Sequence, residues 1–202
     1  SAQPSGDLDA ISDRINKADR PLLVVGPAVL RQGAGGELLR LAEKLHLAVL
    51  VTSKARGVIP EDHPLFAGVV TGVYGEKTLE GQIVYRSDLV VAVGLDRMEL
   101  LSPWAYPQPL IALDAIEVPE EETVGRPLLR ACGPLPELLR SVAGALRTRQ
   151  AWQASDLQAF WSDSLRDLAA TSGDLNAASL LARAREMAPA DAILTTETGI
   201  YN

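Results

Sequence analysis

The feature that most constrains this sequence is a series of short apolar runs, each bounded by turn residues and followed by an amphipathic stretch. The runs cover Leu22–Val25, Ala48–Thr52, Phe66–Val70, Asp88–Gly94, Pro109–Asp114 and Pro127–Ala131. Continuous runs of Val, Leu and Ile between turn residues are typical of parallel strands buried on both faces. They recur at intervals of about 20 to 25 residues, which favours a doubly wound sheet with right-handed crossovers.

The stretches between these runs have the periodicity of helices. Helices are predicted from Leu8 to Ile15, Glu37 to Leu45, Glu76 to Tyr85 and Leu135 to Leu146, and Asp7 is placed to cap the first of them. The prediction for residues 1–147 is therefore one α/β domain, a Rossmann-like parallel sheet of about six strands with helices on both faces.

The pattern changes after Arg147. Two further amphipathic helices are predicted, Leu157–Leu168 and Leu175–Met187, followed by a strand at Ala192–Thr196. A parallel strand needs a neighbour to pair with, and none is evident in this segment. Residues 148–202 are therefore interpreted as a linker helix and the start of a further, truncated domain.

Composition excludes several classes of function. The chain of 202 residues has a net charge of −7, and its basic residues do not cluster, so nucleic acid is not an expected partner. No apolar run reaches the ~18 residues of a membrane span. The single cysteine, Cys132, is interpreted as a small core residue and fits a cytoplasmic location. His46 and His63 have no zinc-site spacing, and no P-loop or nucleophile elbow occurs.

Candidate ligand residues follow three of the predicted strands, because the carboxyl ends of parallel strands line the usual crevice. They are Gly26, Pro27, Ala28, Gly94, Leu95, Arg97 and Asp114. A turn at residues 26–28 can receive a pyrophosphate, Arg97 a phosphate, and Asp114 a ribose hydroxyl. The alternative is an ordinary strand-to-helix turn, with Asp96 and Asp114 capping the helices that follow. From the residues alone, the chain is an α/β domain with a potential nucleotide crevice and no catalytic constellation.

Five segments in order add specificity. They are Arg20–Gly26, the Gly-x-x-Pro-Glu-Asp-His-Pro-x-x-x-Gly sequence at Gly57–Gly68, the Gly-x-x-Gly turn at Gly72–Gly75, Ser87–Gly94, and Leu110–Asp114. Together they resemble the central domain of thiamine-diphosphate-dependent enzymes of the acetolactate synthase and 2-oxo acid decarboxylase type. The resemblance covers Leu8 to Arg147.

The resemblance implies an enzyme that uses thiamine diphosphate and Mg²⁺ to join or decarboxylate 2-oxo acids, as a transferase or a lyase. It implies N-terminal and C-terminal domains that this chain lacks, and a homo-oligomer. The segment Ala190–Gly199 is similar to the first strand and turn of the third domain, which implies that Thr198, Gly199 and Ile200 approach the diphosphate. The activating glutamate and the magnesium motif of the family are absent, so this chain is not expected to be catalytic by itself or to hold the cofactor tightly.

In relatives the central domain binds FAD, ADP or nothing. Here Pro27 and Ala28 replace glycines of the first turn, and Leu95 takes the position of an arginine, which argues against FAD. The alternative to the enzyme interpretation is a stand-alone module that binds NAD, FAD or ADP.

Overall fold

One sheet organises the chain in the computed structural model, which describes residues 4–170, 177–189 and 191–193. Within these residues seven strands pair in the order β1-β7-β6-β5-β2-β3-β4. Their bounds are β1 Ser5–Gly6, β2 Pro21–Val25, β3 Ala48–Thr52, β4 Phe66–Val70, β5 Leu89–Val93, β6 Leu110–Asp114 and β7 Leu129–Cys132. Strands β2 to β7 are parallel and have the order of a doubly wound Rossmann sheet, whereas β1 pairs antiparallel with β7. The predicted fold class is confirmed.

Helices follow most of the predicted positions. Their bounds are α1 Leu8–Lys17, α2 Ala28–Arg31, α3 Gly35–Leu45, α4 Leu79–Val84, α5 Leu135–Ala145, α6 Ala154–Ala170 and α7 Ala177–Met187. The carboxylate of Asp7 caps α1 by accepting from the Ala10 amide at 2.9 Å. Helix α4 begins three residues later than predicted because the Thr78 hydroxyl accepts from the Gly81 amide at 3.0 Å and fixes the helix start there.

The main core lies on one face of the sheet. Helices α1, α3 and α5 bury their apolar sides there, and Ile11, Leu38 and Leu139 are fully buried. Alternate residues of the central strands, such as Val91, point into this cluster. Because side chains alternate between the faces of a strand, the other half of each strand must be covered on the opposite face.

The second face is covered differently. Its strand residues, such as Leu50 and Val90, are also fully buried, and α4, whose Ile83 and Val84 are buried, contacts β4. The crossovers at 94–109 and 115–128 contain short 3₁₀ turns and no α-helix. Their prolines at 103, 107, 109, 119 and 127 each remove a backbone donor, which disfavours a helical crossover.

The polar segment after Arg147 pairs with the end of α3. The Ala151 amide donates to the Leu45 carbonyl at 2.9 Å, and the buried indole of Trp152 donates to the Pro21 carbonyl at 2.8 Å. By compactness the chain divides into Ser1–Gln158 and Ala159–Asn202. The domain boundary after Arg147 stays a prediction.

The second unit contains α7 and most of α6. Of the strand predicted at Ala192–Thr196, only the first two residues are described, and they are not in a strand; the rest lies outside the described residues. Across the described part of the chain, no helix has both the length and the apolar character needed to cross a membrane.

Candidate functional site

The switch point of the sheet lies between β2 and β5. These strands are neighbours, but the chain leaves β2 towards β3 and leaves β5 towards β6, so the following loops diverge and open a crevice. A cavity of about 450 Å³ lies at this edge. It is lined by Ala28, Arg31, Gln32, Gly94, Leu95, Asp96, Arg97, Met98, Asp114, Ala115, Ile116, Val118 and Glu122. The structure thus brings together five of the predicted residues, whereas Gly26 and Pro27 do not line the cavity.

Two glycines bring the turns of the switch point into contact. A Cβ atom on Gly26 would lie 2.2 Å from the carbonyl oxygen of Gly94, so the two turns touch through their backbones. Gly94 has a φ of 56°, in the left-handed region that favours glycine. Both glycines therefore have a packing role at the switch point.

The backbone donors of the first turn are already used. The Gly26 amide donates to the Val93 carbonyl at 2.9 Å, the Ala28 amide to the Gly94 carbonyl at 3.4 Å, and the Val29 amide to the Gly26 carbonyl at 3.3 Å. Pro27 has no amide hydrogen. Positions 26–29 consequently offer no free N–H to a pyrophosphate, which is the group that such turns receive in dinucleotide-binding proteins. The turn does not fit FAD or ADP bound in that way.

Gln32, which follows α2 and lines the cavity, is also hydrogen-bonded within the fold. The side-chain oxygen of Gln32 accepts from the Leu135 amide at 2.7 Å and so satisfies a donor at the start of α5. The carboxamide oxygen of Gln32 therefore stabilises the start of α5.

Asp114 is the one carboxylate of the predicted set that faces the cavity at the end of a strand. Its side chain is half-buried and accepts no hydrogen bond from the described residues. Burial raises the pKa of Asp114 to about 6, and the nearby Arg130 guanidinium partly opposes that rise. Capping of a following helix, the alternative for this residue, is not among its contacts in the described part. The carboxyl group is available to a ligand hydroxyl.

The side chains of Asp96 and Arg97 form hydrogen bonds with backbone groups of the crossovers. The Asp96 carboxylate accepts from the Met98 amide at 2.9 Å and caps the 3₁₀ turn Arg97–Glu99, as the structural alternative predicted. The Arg97 guanidinium donates to the Glu121 carbonyl at 3.2 Å and joins the two crossovers. Lys54 pairs with the nearly buried Glu99 at 2.8 Å and ties this turn to the end of β3.

The remaining predictions from the sequence concern single residues. Cys132 ends β7 half-buried, as a free thiol 3.0 Å from the Ser5 hydroxyl. His63 accepts from the Leu65 amide at 3.2 Å, a structural contact. Thr198, Gly199 and Ile200 lie outside the described residues. No group of His, Cys, Asp and Glu within the described ranges is arranged to hold a metal ion.

A buried carboxylate beside the crossovers went unnoticed in the sequence. Glu80 is 5% exposed, and its carboxylate accepts from the Thr71 hydroxyl at 2.8 Å, the Gly72 amide at 3.1 Å and the Tyr106 hydroxyl at 3.2 Å. It also accepts from the Thr71 amide. These donors compensate the burial of a charge. The only sequence signal is an acidic residue five positions after the Gly-x-x-Gly turn, within the predicted helix.

Aromatic residues cluster around Tyr106. Its ring packs edge to face against three others. The distances between ring centroids are 4.8 Å to Tyr74, 5.3 Å to Trp104 and 5.7 Å to Tyr85. Burial raises the pKa of Tyr74 to about 12, with a contribution from the charge of Glu80. These residues have no periodicity in the sequence, so no pattern pointed to the cluster.

Comparison with known proteins agrees with this architecture. A family model described as "Thiamine pyrophosphate enzyme, central domain" matches residues 8–125. An acetolactate synthase large subunit from Mycobacterium tuberculosis is 32% identical over 154 residues, which cover 74% of this chain and 26% of that protein. A pyruvate decarboxylase from Neurospora crassa is 33% identical over 75 residues, or 37% of this chain and 13% of that protein.

A solved structure extends the similarity to three dimensions. Benzoylformate decarboxylase from Polynucleobacter necessarius superposes with a TM-score of 0.61 at 25% identity, over 76% of this chain and 30% of that chain. This chain spans less than a third of the length of each of these relatives. Because the family match runs from the start of α1 to the second helix-free crossover, this chain belongs to the thiamine pyrophosphate enzyme central domain family.

Proposed function

We propose that this chain is the central domain of a thiamine-diphosphate-dependent enzyme that decarboxylates 2-oxo acids or joins them to a second carbonyl compound. The observation that carries the proposal is the continuous family match over residues 8–125, which includes the β2–β5 switch point. Two of the relatives are named for pyruvate and benzoylformate, which are both 2-oxo acids. A stand-alone nucleotide module has no comparable support.

The proposed role of the chain is to position the rest of the enzyme. Thiamine diphosphate, when bound in the whole enzyme, supplies carbanion chemistry at a carbonyl carbon. We place Thr198, Gly199 and Ile200 near its diphosphate, and we expect Mg²⁺ to be held by domains outside this chain. The N-terminal and C-terminal domains and further subunits of a homo-oligomer are the proposed partners.

The crevice at the switch point is proposed to hold no dinucleotide. The support is the engagement of the Gly26, Ala28 and Val29 amides and the absence of an N–H on Pro27. Leu95, which is nearly buried, adds no charge to that wall.

The test of the enzyme proposal uses the whole protein that contains this chain. Carbon dioxide release is measured with pyruvate, 2-oxobutyrate and benzoylformate, with and without thiamine diphosphate and Mg²⁺. We expect release from at least one substrate that depends on the cofactor and is lost when a chelator is added. No cofactor-dependent release from any of the three would overturn the proposal.

The crevice is tested separately on the 202-residue chain. Calorimetric titration with NAD, FAD and ADP is expected to give no saturable heat. Saturable binding of any of them in the micromolar range would favour the nucleotide module instead.

A further inference from the structure

A second cavity lies on the face of the sheet that carries the two helix-free crossovers. Its volume is about 910 Å³, and its walls come from residues 97–110 and 121–128. Doubly wound sheets ordinarily cover this space with crossover helices. Here the crossovers at 94–109 and 115–128 run as irregular segments, and the space between them stays open. Its size lies in the range of ~300–1,000 Å³ that is typical of small-molecule sites.

One wall of the cavity is aromatic and held in place. Trp104 and Tyr106 both line it, and their rings meet edge to face at 5.3 Å. Tyr106 is fixed from behind by its hydrogen bond to the buried Glu80 at 3.2 Å and by its contact with Tyr74 at 4.8 Å. A planar ring can therefore pack on this wall without reorganising it.

Two polar atoms in the cavity wall are buried and unpartnered. The indole Nε1 of Trp104 and the side-chain Oε1 of Gln108 have no hydrogen-bond partner among the described residues. Leaving such a group unsatisfied destabilises the fold. The indole is a donor only, whereas the Gln108 carboxamide can present either a donor or an acceptor after a flip.

The residues that line the cavity include two arginines and one acidic residue, Glu121. Arg97 and Arg126 both line it, and Arg97 is anchored on the Glu121 carbonyl at 3.2 Å. Arg126 is exposed and forms no ion pair within the part of the chain that the structure describes. A guanidinium in this position can bind a carboxylate with two parallel hydrogen bonds.

We propose that this cavity binds a planar aromatic carboxylate. The ring lies against Trp104 and Tyr106, and the carboxylate pairs with Arg126 at the rim. The site shares Arg97 and Met98 with the crevice at the switch point, but Trp104, Tyr106 and Arg126 line only this cavity. The proposal does not depend on the enzyme proposal.

The test uses the tryptophan side chains as reporters. The chain has three tryptophans, so its nitrogen–proton correlation spectrum contains three indole signals, and the Trp104→Phe variant identifies one of them. Titration with 2-naphthoate should shift the Trp104 signal saturably. The Trp152 signal should stay in place, because that indole already donates to the Pro21 carbonyl at 2.8 Å.

Two ligand controls separate the ring from the charge. The neutral 2-naphthamide and the non-aromatic cyclohexanecarboxylate should each bind about tenfold more weakly than 2-naphthoate, since each lacks one of the two interactions. Equal affinity for the acid and the amide would overturn the assignment of the carboxylate to Arg126.

A matched pair of variants locates the charge. Arg126→Gln should weaken 2-naphthoate binding about tenfold and leave 2-naphthamide binding unchanged. Arg14→Gln removes an exposed positive charge from α1, on the other face of the sheet, and should change neither affinity. The proposal is overturned if no saturable Trp104 shift occurs up to the solubility limit of 2-naphthoate. An equal loss of affinity in both variants would also overturn it, because it would indicate a general charge effect.

Discussion

Gly26 and Gly94 meet backbone to backbone at the carboxyl edge of the sheet, with only 2.2 Å between the carbonyl oxygen of Gly94 and the position of a Cβ on Gly26. The contact joins the turns that follow β2 and β5, the two strands of the switch point. A Cβ atom at position 26 would clash with main-chain atoms of Gly94 and Leu95, which cannot move aside as a flexible side chain can.

Gly26→Ala is therefore expected to destabilise the chain by about 3 kcal/mol or more, since the turns must separate. Gly144→Ala is the matched control, because a Cβ at Gly144 meets nothing within 4 Å and the residue lies in α5. That change should stabilise by about 0.5–1 kcal/mol through helix propensity. Urea unfolding of both variants measures the contrast, and a Gly26→Ala variant as stable as the parent would contradict the contact.

Asp114→Asn should stabilise the chain at neutral pH. The native pKa of about 6 is above the ordinary 3.8, so the folded state binds this proton more tightly than the unfolded state does. The stability that protonation contributes is complete below pH 3.8 and is lost as the pH rises through 6.

The full difference in pKa corresponds to ~3 kcal/mol, and solvent screening of the half-buried group reduces it to about 1–2 kcal/mol. Unfolding free energies of parent and variant should therefore coincide below about pH 3.8, diverge as the pH rises from 3.8 to about 6, and stay apart by a constant amount at higher pH. The exposed Asp62→Asn control should stay within about 0.5 kcal/mol of the parent. An Asp114→Asn effect of the same size at low and neutral pH would contradict the burial of this carboxyl.

Glu80→Gln is expected to destabilise by about 2–4 kcal/mol, because the amide replaces an acceptor of several donors with a group that is itself half donor. Tyr106→Phe removes one of those donors and should cost about 1 kcal/mol. A double-mutant cycle by denaturant unfolding should give a coupling energy of about 0.5 kcal/mol or more, since the two side chains share a hydrogen bond of 3.2 Å. Strict additivity of the two changes would be incompatible with that bond, and the exposed Glu76→Gln serves as control.

Truncation tests the predicted domain boundary. A chain ending at Arg147 loses the indole bond from Trp152 to Pro21 and the burial of Trp152 and Leu157, whereas one ending at Gln158 keeps them. The shorter chain should be less stable by about 4 kcal/mol, given the apolar area of these side chains. Equal melting of the two truncated chains would place the boundary at Arg147.

The central strands could be predicted because their information is local. β3 and β4 were predicted with the bounds that they have, Ala48–Thr52 and Phe66–Val70, since each is a continuous apolar run after a helix or turn. Strand β1 could not be found this way. Ser5 and Gly6 have no apolar pattern, and only their pairing with Ala131 and Cys132 makes them a strand.

In the candidate site, too, the features that depend on local sequence could be predicted and those that depend on tertiary contacts could not. The structure places Ala28, Gly94, Leu95, Arg97 and Asp114 at one edge, because the carboxyl ends of parallel strands meet there, and their role as a ligand site stays a prediction. The hydrogen bond from the Ala28 amide to the Gly94 carbonyl could not be predicted from the sequence, since it depends on how closely two turns approach each other. Glu80 and Tyr106 lie 26 positions apart and meet only through the crossover that carries the tyrosine.

Strand β1 has a consequence for the behaviour of the protein in solution. Its two residues are bonded along the outer side of β7, where Leu129–Cys132 would otherwise present unpaired amides and carbonyls. So short a strand offers little template to another molecule, which is how natural sheets avoid self-association through their margins. Proteolytic trimming of the first residues would thus leave the fold largely in place and convert this margin into a nucleus for aggregation that grows with protein concentration.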